Sequence, residues 1–126
     1  MRMLVTLVII LTIIIGSAFW TNHSLQTSAD ELAKQIILVN DEVKSGKWES
    51  ALAQMGKLET TWQNKAKWWP VFLDHQEMDN IEFSLAKAKA YVANQDQALA
   101  LGQLSELKLM VKHIPLNEKV SIENIL

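Results

Sequence analysis

The stretch LQTSADELAKQIILVNDEVKSGKWESALAQMGKLETTW, residues 25–62, decides the fold. Its apolar residues do not alternate. Leu25, Ala29, Leu32, Ile36, Val39 and Val43 step by four and three, the spacing that keeps side chains on one face of a helix. Lys44-Ser45-Gly46-Lys47 breaks the pattern with a short polar loop, and its Gly stands where a helix is expected to stop. A second stripe follows: Trp48, Leu52, Met55, Leu58, Trp62 and then Ala66. Two amphipathic helices joined by so short a loop fold back on each other.

Further along, the same reading repeats. Asp74-x-x-Glu77 resembles a capping box with Asp in place of Ser or Thr, and starts a third helix. Its stripe is Met78, Ile81, Leu85, Ala88 and Val92. Asn94-x-x-Gln97 is a similar start for a fourth helix, whose stripe is Ala100, Leu104, Leu107, Val111 and Ile114. Pro115 is expected to end it. In the tail PLNEKVSIENIL, Val120, Ile122, Ile125 and Leu126 are apolar enough to dock on the bundle. A seam averaging 3.5 residues belongs to helices crossing at about +20°. The fold class expected is therefore all-α, with an antiparallel, up-down four-helix bundle over residues 21–126. A faint internal echo, SALAQMGKLE (50–59) against QALALGQLSE (97–106), points to shared hairpin packing, not to a true repeat array. GKWESAL resembles the turn inside a tetratricopeptide repeat, but the other positions of that repeat are not met.

Toward the N-terminus the character changes. Met3–Trp20, MLVTLVIILTIIIGSAFW, carries no charge. As a helix it spans about 27 Å, close to the ~30 Å hydrocarbon core of a bilayer. Trp20 stands where an interfacial aromatic is expected, and Arg2 precedes the segment with no cation after it until Lys34. Residues 1–20 are read as an uncleaved signal-anchor, a single pass with the N-terminus cytoplasmic and the rest extracytoplasmic. The rival is a signal peptide cut at Gly16-Ser17-Ala18, against which stand the single Arg and the long apolar run. A buried core helix is the third reading, and a small domain has little room for one. Nothing between Trp20 and Leu25 forces a break, so the anchor is free to run on into the first bundle helix.

The chain has no Cys, which removes disulfides, thiolate metal sites and a Cys nucleophile. Beyond the anchor, 14 acids against 11 lysines leave a net −3. Such a mixed, mildly acidic surface predicts no affinity for nucleic acid and none for anionic lipid. Asn22-His23-Ser24 matches a glycosylation sequon but lies close to the membrane. No phosphate-binding Gly loop, nucleophile elbow, metalloprotease motif or calcium loop occurs. The expectation is a protein that is not an enzyme and carries no cofactor.

KWWPVFLDHQEMD, residues 67–79, is the one stretch of unusual chemistry. Pro70 pushes Trp69 away from helical angles, so the second helix ends near it. Trp68 and Trp69 then either plug the end of the bundle or present a binding surface, and the plug is favoured. Trp48 and Trp62 are read as core. His75, Asp79 and Glu82 fall on one face of the third helix, about 100° from its apolar stripe. One His and two carboxylates are able to hold a metal or move a proton. The blander expectation is that Asp74 and Glu77 cap the helix while Asp79 and Glu82 are solvated or bond His75 and a Trp N–H. A buried polar network is the intermediate possibility. No second source of ligands is visible, so no metal site is assigned. Trp68, Trp69, Pro70, His75, Asp79 and Glu82 form the candidate interaction surface.

Taken together, the N-terminal anchor, KWWPVFLDHQEMDNIE, the closing VKHIP and the final SIENIL resemble the bacterial domain of unknown function 4363 family, over nearly the whole chain. The resemblance implies a small membrane-anchored helical protein, with an integral membrane protein as partner. It brings no activity and no catalytic residue. The expected function is an interaction or accessory module beside that partner, with an extracytoplasmic sensor or small-ligand module as the alternative.

Overall fold

The computed structural model describes residues 1–71 and 73–125, with the side chains of Val71 and of residues 115–125 left aside. It holds four α-helices: α1 (Arg2–Lys44), α2 (Trp48–Ala66), α3 (His75–Ala93) and α4 (Gln97–Ile125), with a 3-10 turn at Trp69–Val71 between α2 and α3. No strand occurs among the described residues. The four helices form an up-down bundle in which α1 and α3 each pack on α2 and α4.

α1 is one helix of 43 residues with no interruption at Trp20. Its apolar N-terminal part lies wholly outside the bundle and none of it is buried. A core helix would be covered, so that third reading is excluded. From Leu25 onward the same helix turns amphipathic, and Leu25, Ala29, Leu32, Ile36, Val39 and Val43 are all buried, joined by Ala33. The stripes expected in α3 and in α4 are buried without exception.

Two expectations for α2 need correction. Leu52 is 41% exposed, and Ala51 is fully buried in its place. The stripe therefore steps Ala51, Met55, Leu58, Trp62. Ala51 lies in the first turn after the hairpin, where the helices are joined by a tight turn and a small side chain lets the backbones approach. Trp48 is only half-buried against the core's edge.

The caps also differ in part. Asp74 caps α3 as expected, its Oδ1 accepting from the Gln76 amide at 3.3 Å. At α4 the cap is Asp96, whose Oδ1 accepts from the Leu99 amide at 3.1 Å. Asn94, expected in that role, instead closes α3. Nor does Pro115 end α4, which runs on to Ile125. Proline's fixed φ suits a helix, and its cost is one lost N–H donor and crowding of the preceding turn. α4 is already held by its buried stripe up to Ile114, so the helix survives that loss. The docking expected of Val120, Ile122, Ile125 and Leu126 lies outside the described side chains.

The echo is real but shifted. Its sequence alignment sets Ala51 over Ala98, which is exposed. In the structure Ala51 matches Ala100, 49 residues on, and both are fully buried. The same offset carries Leu32, Ile36, Val39 and Val43 onto Ile81, Leu85, Ala88 and Val92. It carries Met55, Leu58 and Trp62 onto Leu104, Leu107 and Val111. The turns match too. The Lys47 amide donates to Glu42 O at 3.0 Å, and the Asp96 amide to Tyr91 O at 2.9 Å. Gly46 has φ +70° and Gln95 φ +58°, so each hairpin closes through one left-handed residue. Each hairpin also carries one polar pair across its helices, though at different levels. Gln35 Nε2 donates to Thr61 Oγ1 at 2.9 Å in the first hairpin, and Gln103 Nε2 to Ser84 Oγ at 2.7 Å in the second. Ser84 is the counterpart of Gln35. The bundle is two copies of one helical hairpin.

A left-handed residue with a Cβ is strained, and Gly is not. Gln95→Gly should raise stability by about 0.5–1 kcal/mol, while Gly46→Ala should lower it by about 1 kcal/mol although a Cβ there meets no neighbour. Denaturant midpoints of the full chain in detergent, followed by tryptophan fluorescence, check both.

Candidate functional site

The two hairpins meet, on the side nearest the apolar part of α1, at the connection between α2 and α3. Leu25 at the start of the core is only five residues beyond Trp20, about 8 Å along the helix. This end of the bundle carries nearly all the unusual residues.

The tryptophan pair divides. α2 ends at Ala66, and a 3-10 turn begins at Trp69 with Pro70 as its second residue. The Leu73 amide donates to Trp69 O at 2.8 Å and fixes the turn. This reversal sends the two neighbouring rings in different directions. Trp69 is 4% exposed and meets Trp62 edge to face, with centroids 5.5 Å apart and planes at 82°. It is the plug. Trp68 is 72% exposed. Pro70 is exposed as well, so Trp69 leaves the candidate surface and Trp68 and Pro70 stay on it. The Trp62 indole nitrogen is buried without a hydrogen-bond partner. The ring sits there for its area and its packing on Trp69, not for a bond to the α3 carboxylates.

His75, Asp79 and Glu82 stand on the outer face of α3, and all three are exposed. No hydrogen bond or ion pair ties them together among the described residues. The buried-network reading is thereby excluded, and the face is solvated charge with Phe83 exposed beside it. Among the described residues no three His, Asp or Glu side chains gather closely enough to hold a metal ion. His113 is turned to its own helix, its Nδ1 donating to Leu109 O at 2.7 Å.

Sequence reasoning missed a cleft of about 460 Å³ between α1 and the end of α2. Thr21, Ser24 and Ser28 line it from α1, and Asn64 and Lys65 from α2. Trp20 and Trp68 border it, both more than two-thirds exposed. Lys65 is held by Glu31, Nζ to Oε2 at 2.9 Å. The signal was present: hydroxyls at i, i+3 and i+7 directly after the interfacial Trp. They passed unnoticed because polar residues on an amphipathic helix read as its solvent face.

Removing the plug should cost more than removing its neighbour. Trp69→Ala loses a buried ring and its edge-to-face contact, an expected fall of about 3 kcal/mol or more. Trp68→Ala should stay within about 0.5 kcal/mol of wild type, as exposed substitutions do. Parallel urea titrations of the two variants in detergent test the division.

Neither a curated protein nor a solved structure matches the chain. A family model does, and its match starts at residue 19, close to where the apolar segment ends. That model, Domain of unknown function (DUF4363), covers residues 19–125, most of the chain and the entire bundle core, and the protein belongs to this family.

Proposed function

We propose that this protein is a single-pass membrane protein whose extracytoplasmic bundle is an accessory module for an integral membrane partner. The observation that carries the reading is the unbroken α1. Its first part is an apolar shaft that no other part of the bundle covers, and its second part is a wall of the bundle. In lipid a helix satisfies its own backbone, and apolar side chains need no further partner. The shaft is long enough to span, and the single Arg before it favours a cytoplasmic N-terminus. The bond after Ala18 lies within a continuous helix, whereas proteolysis favours exposed flexible segments. This supports retention of the anchor over cleavage.

A span that continues as a bundle helix holds the domain at the membrane surface without a flexible linker. The 19 residues of α2 give the head a height of about 28 Å. Its surfaces therefore sweep only a thin layer above the bilayer, where other membrane proteins expose their loops. Trp68, exposed at the near end, is the residue type most enriched in interface anchors. His75, Asp79 and Glu82 supply an exposed polar flank along α3. In this reading the module acts by binding.

The chain lacks Cys, so single reporters are easily placed. Ala53→Cys, on the exposed face of α2, should react with an impermeant maleimide in sealed cells, while Thr6→Cys should not. Protection of position 53 until the cells are broken would reverse the orientation. A photo-crosslinking side chain at 68 should give an adduct with an integral membrane protein in intact membranes. Adducts confined to soluble proteins would rule out the membrane partner.

A further inference from the structure

We infer that the cleft between α1 and the end of α2 seats the headgroup of a glycerophospholipid from the bilayer that α1 crosses. The inference rests on the anchor reading above. Its basis is the position and the chemistry of the cleft walls.

Position comes first. The lining on α1 runs from Trp20 to Ser28, about 12 Å along the helix. Trp20 closes the apolar segment, so the cleft begins where the hydrocarbon ends. The polar layer of a bilayer adds about 5–8 Å on each side of that core. Phosphate and glycerol oxygens of neighbouring lipids therefore lie at the level of the cleft mouth, while their acyl chains run along the bare shaft below. The occupant is already next to the site, and the cleft continues a surface that lipid covers.

Chemistry comes second. Four threonines of this chain, Thr6, Thr12, Thr27 and Thr60, return their hydroxyls to the carbonyl four residues back. Thr21 does not. Among the described residues, the hydroxyls of Thr21, Ser24 and Ser28 and the Asn64 amide have no partner within the chain. They are donors facing a common space from two helices. Phosphate diester and glycerol ester oxygens are acceptors that need such donors. Lys65 adds a cation, but Glu31 already balances it at 2.9 Å. The wall is thus close to neutral and suits a zwitterionic or singly charged headgroup, not a polyphosphorylated one. The Trp20 and Trp68 rings border the seat with an apolar body and a polar edge, the combination favoured at this depth.

The experiment places the full chain in nanodiscs containing a phospholipid with a photoreactive headgroup, and in others with a photoreactive acyl chain. Adducts are mapped by mass spectrometry. Headgroup adducts are expected on Ser24, Ser28, Asn64 and Trp68, and acyl adducts on the shaft before Trp20. The triple variant Ser24→Ala/Ser28→Ala/Asn64→Ala should lower headgroup adducts at the cleft about tenfold. Ala is the better helix former, so α1 and α2 keep their structure and the acyl adducts stay unchanged. Acyl adducts on the shaft without headgroup adducts in the cleft would overturn the lipid seat and leave the anchor standing. Absence of both would overturn the anchor, and the seat with it. Loss of the cleft adducts on adding excess inorganic phosphate would mark a soluble phosphate site and equally overturn the lipid assignment.

Discussion

Along α1 the backbone hydrogen bonds never pause, yet the surroundings of its side chains change within two turns. Before Trp20 every residue is exposed by the rest of the chain, and from Leu25 one face is packed. The placement of the bundle relative to the apolar part of α1 depends on this continuity. A helix break at residues 21–24 would leave the bundle intact but free to swivel on a linker. With no break, the orientation of the span and that of the head are one quantity. In the proposed single-pass reading, the rotation of the span therefore sets which face of the head points where. If α1 crosses a bilayer as proposed, every face of the bundle has a fixed height above it, with the connection between α2 and α3 at the near end and the turns at Gly46 and Gln95 at the far end.

The core of the head was legible because hairpin packing uses few rules. Positions stepping by four and three coincide with the buried residues in α1, α3 and α4, where the stripe is broad and uninterrupted. α2 was misread by one residue at its start. Periodicity cannot distinguish Leu52 from Ala51 there, since both lie within a turn of the seam and Leu is the more apolar choice. The structure prefers the small residue next to the tight turn, as it does again at Ala100. The internal echo, read as shared packing and not as a repeat, sits at a different offset in the structure for a related reason. Matching letters, Ala-Leu-Ala against Ala-Leu-Ala, favours 47 residues, while matching burial and turn geometry gives 49. What the two hairpins share is the side of the helix that is covered and the left-handed residue that closes the turn, not residue identity.

Trp68 and Trp69 show what a sequence cannot divide. Neighbours in a chain leave the backbone in different directions, and the reversal enforced around Pro70 decides which ring faces in. That decision depends on the slot beside Trp62, which exists only once α2 and the start of α3 have met. The acids of α3 were easier. A His-acid face 100° from the apolar stripe has no partner helix in a four-helix arrangement, so solvent is its default, and the three side chains are exposed. The cleft was harder than either, because it is built from two helix ends that are distant in sequence and made of ordinary polar residues.

The charge of the head bears on what it can rest against. Residues beyond the anchor carry a net −3, which at long range disfavours an anionic bilayer surface. Screening shortens that repulsion to about 8–10 Å in physiological salt, and the proposed anchor would hold the domain within that range. At contact range the local residues dominate: Lys65 paired with Glu31, Lys67 exposed on the corner, and donors from Thr21, Ser24, Ser28 and Asn64. If the anchor spans a bilayer as proposed, a mildly acidic body with a neutral, donor-rich, tryptophan-bordered base tolerates that membrane beneath it without being drawn flat against it. The head can then stay upright on its helix, with Trp68 at the level where lipid and a neighbouring membrane protein are both within reach.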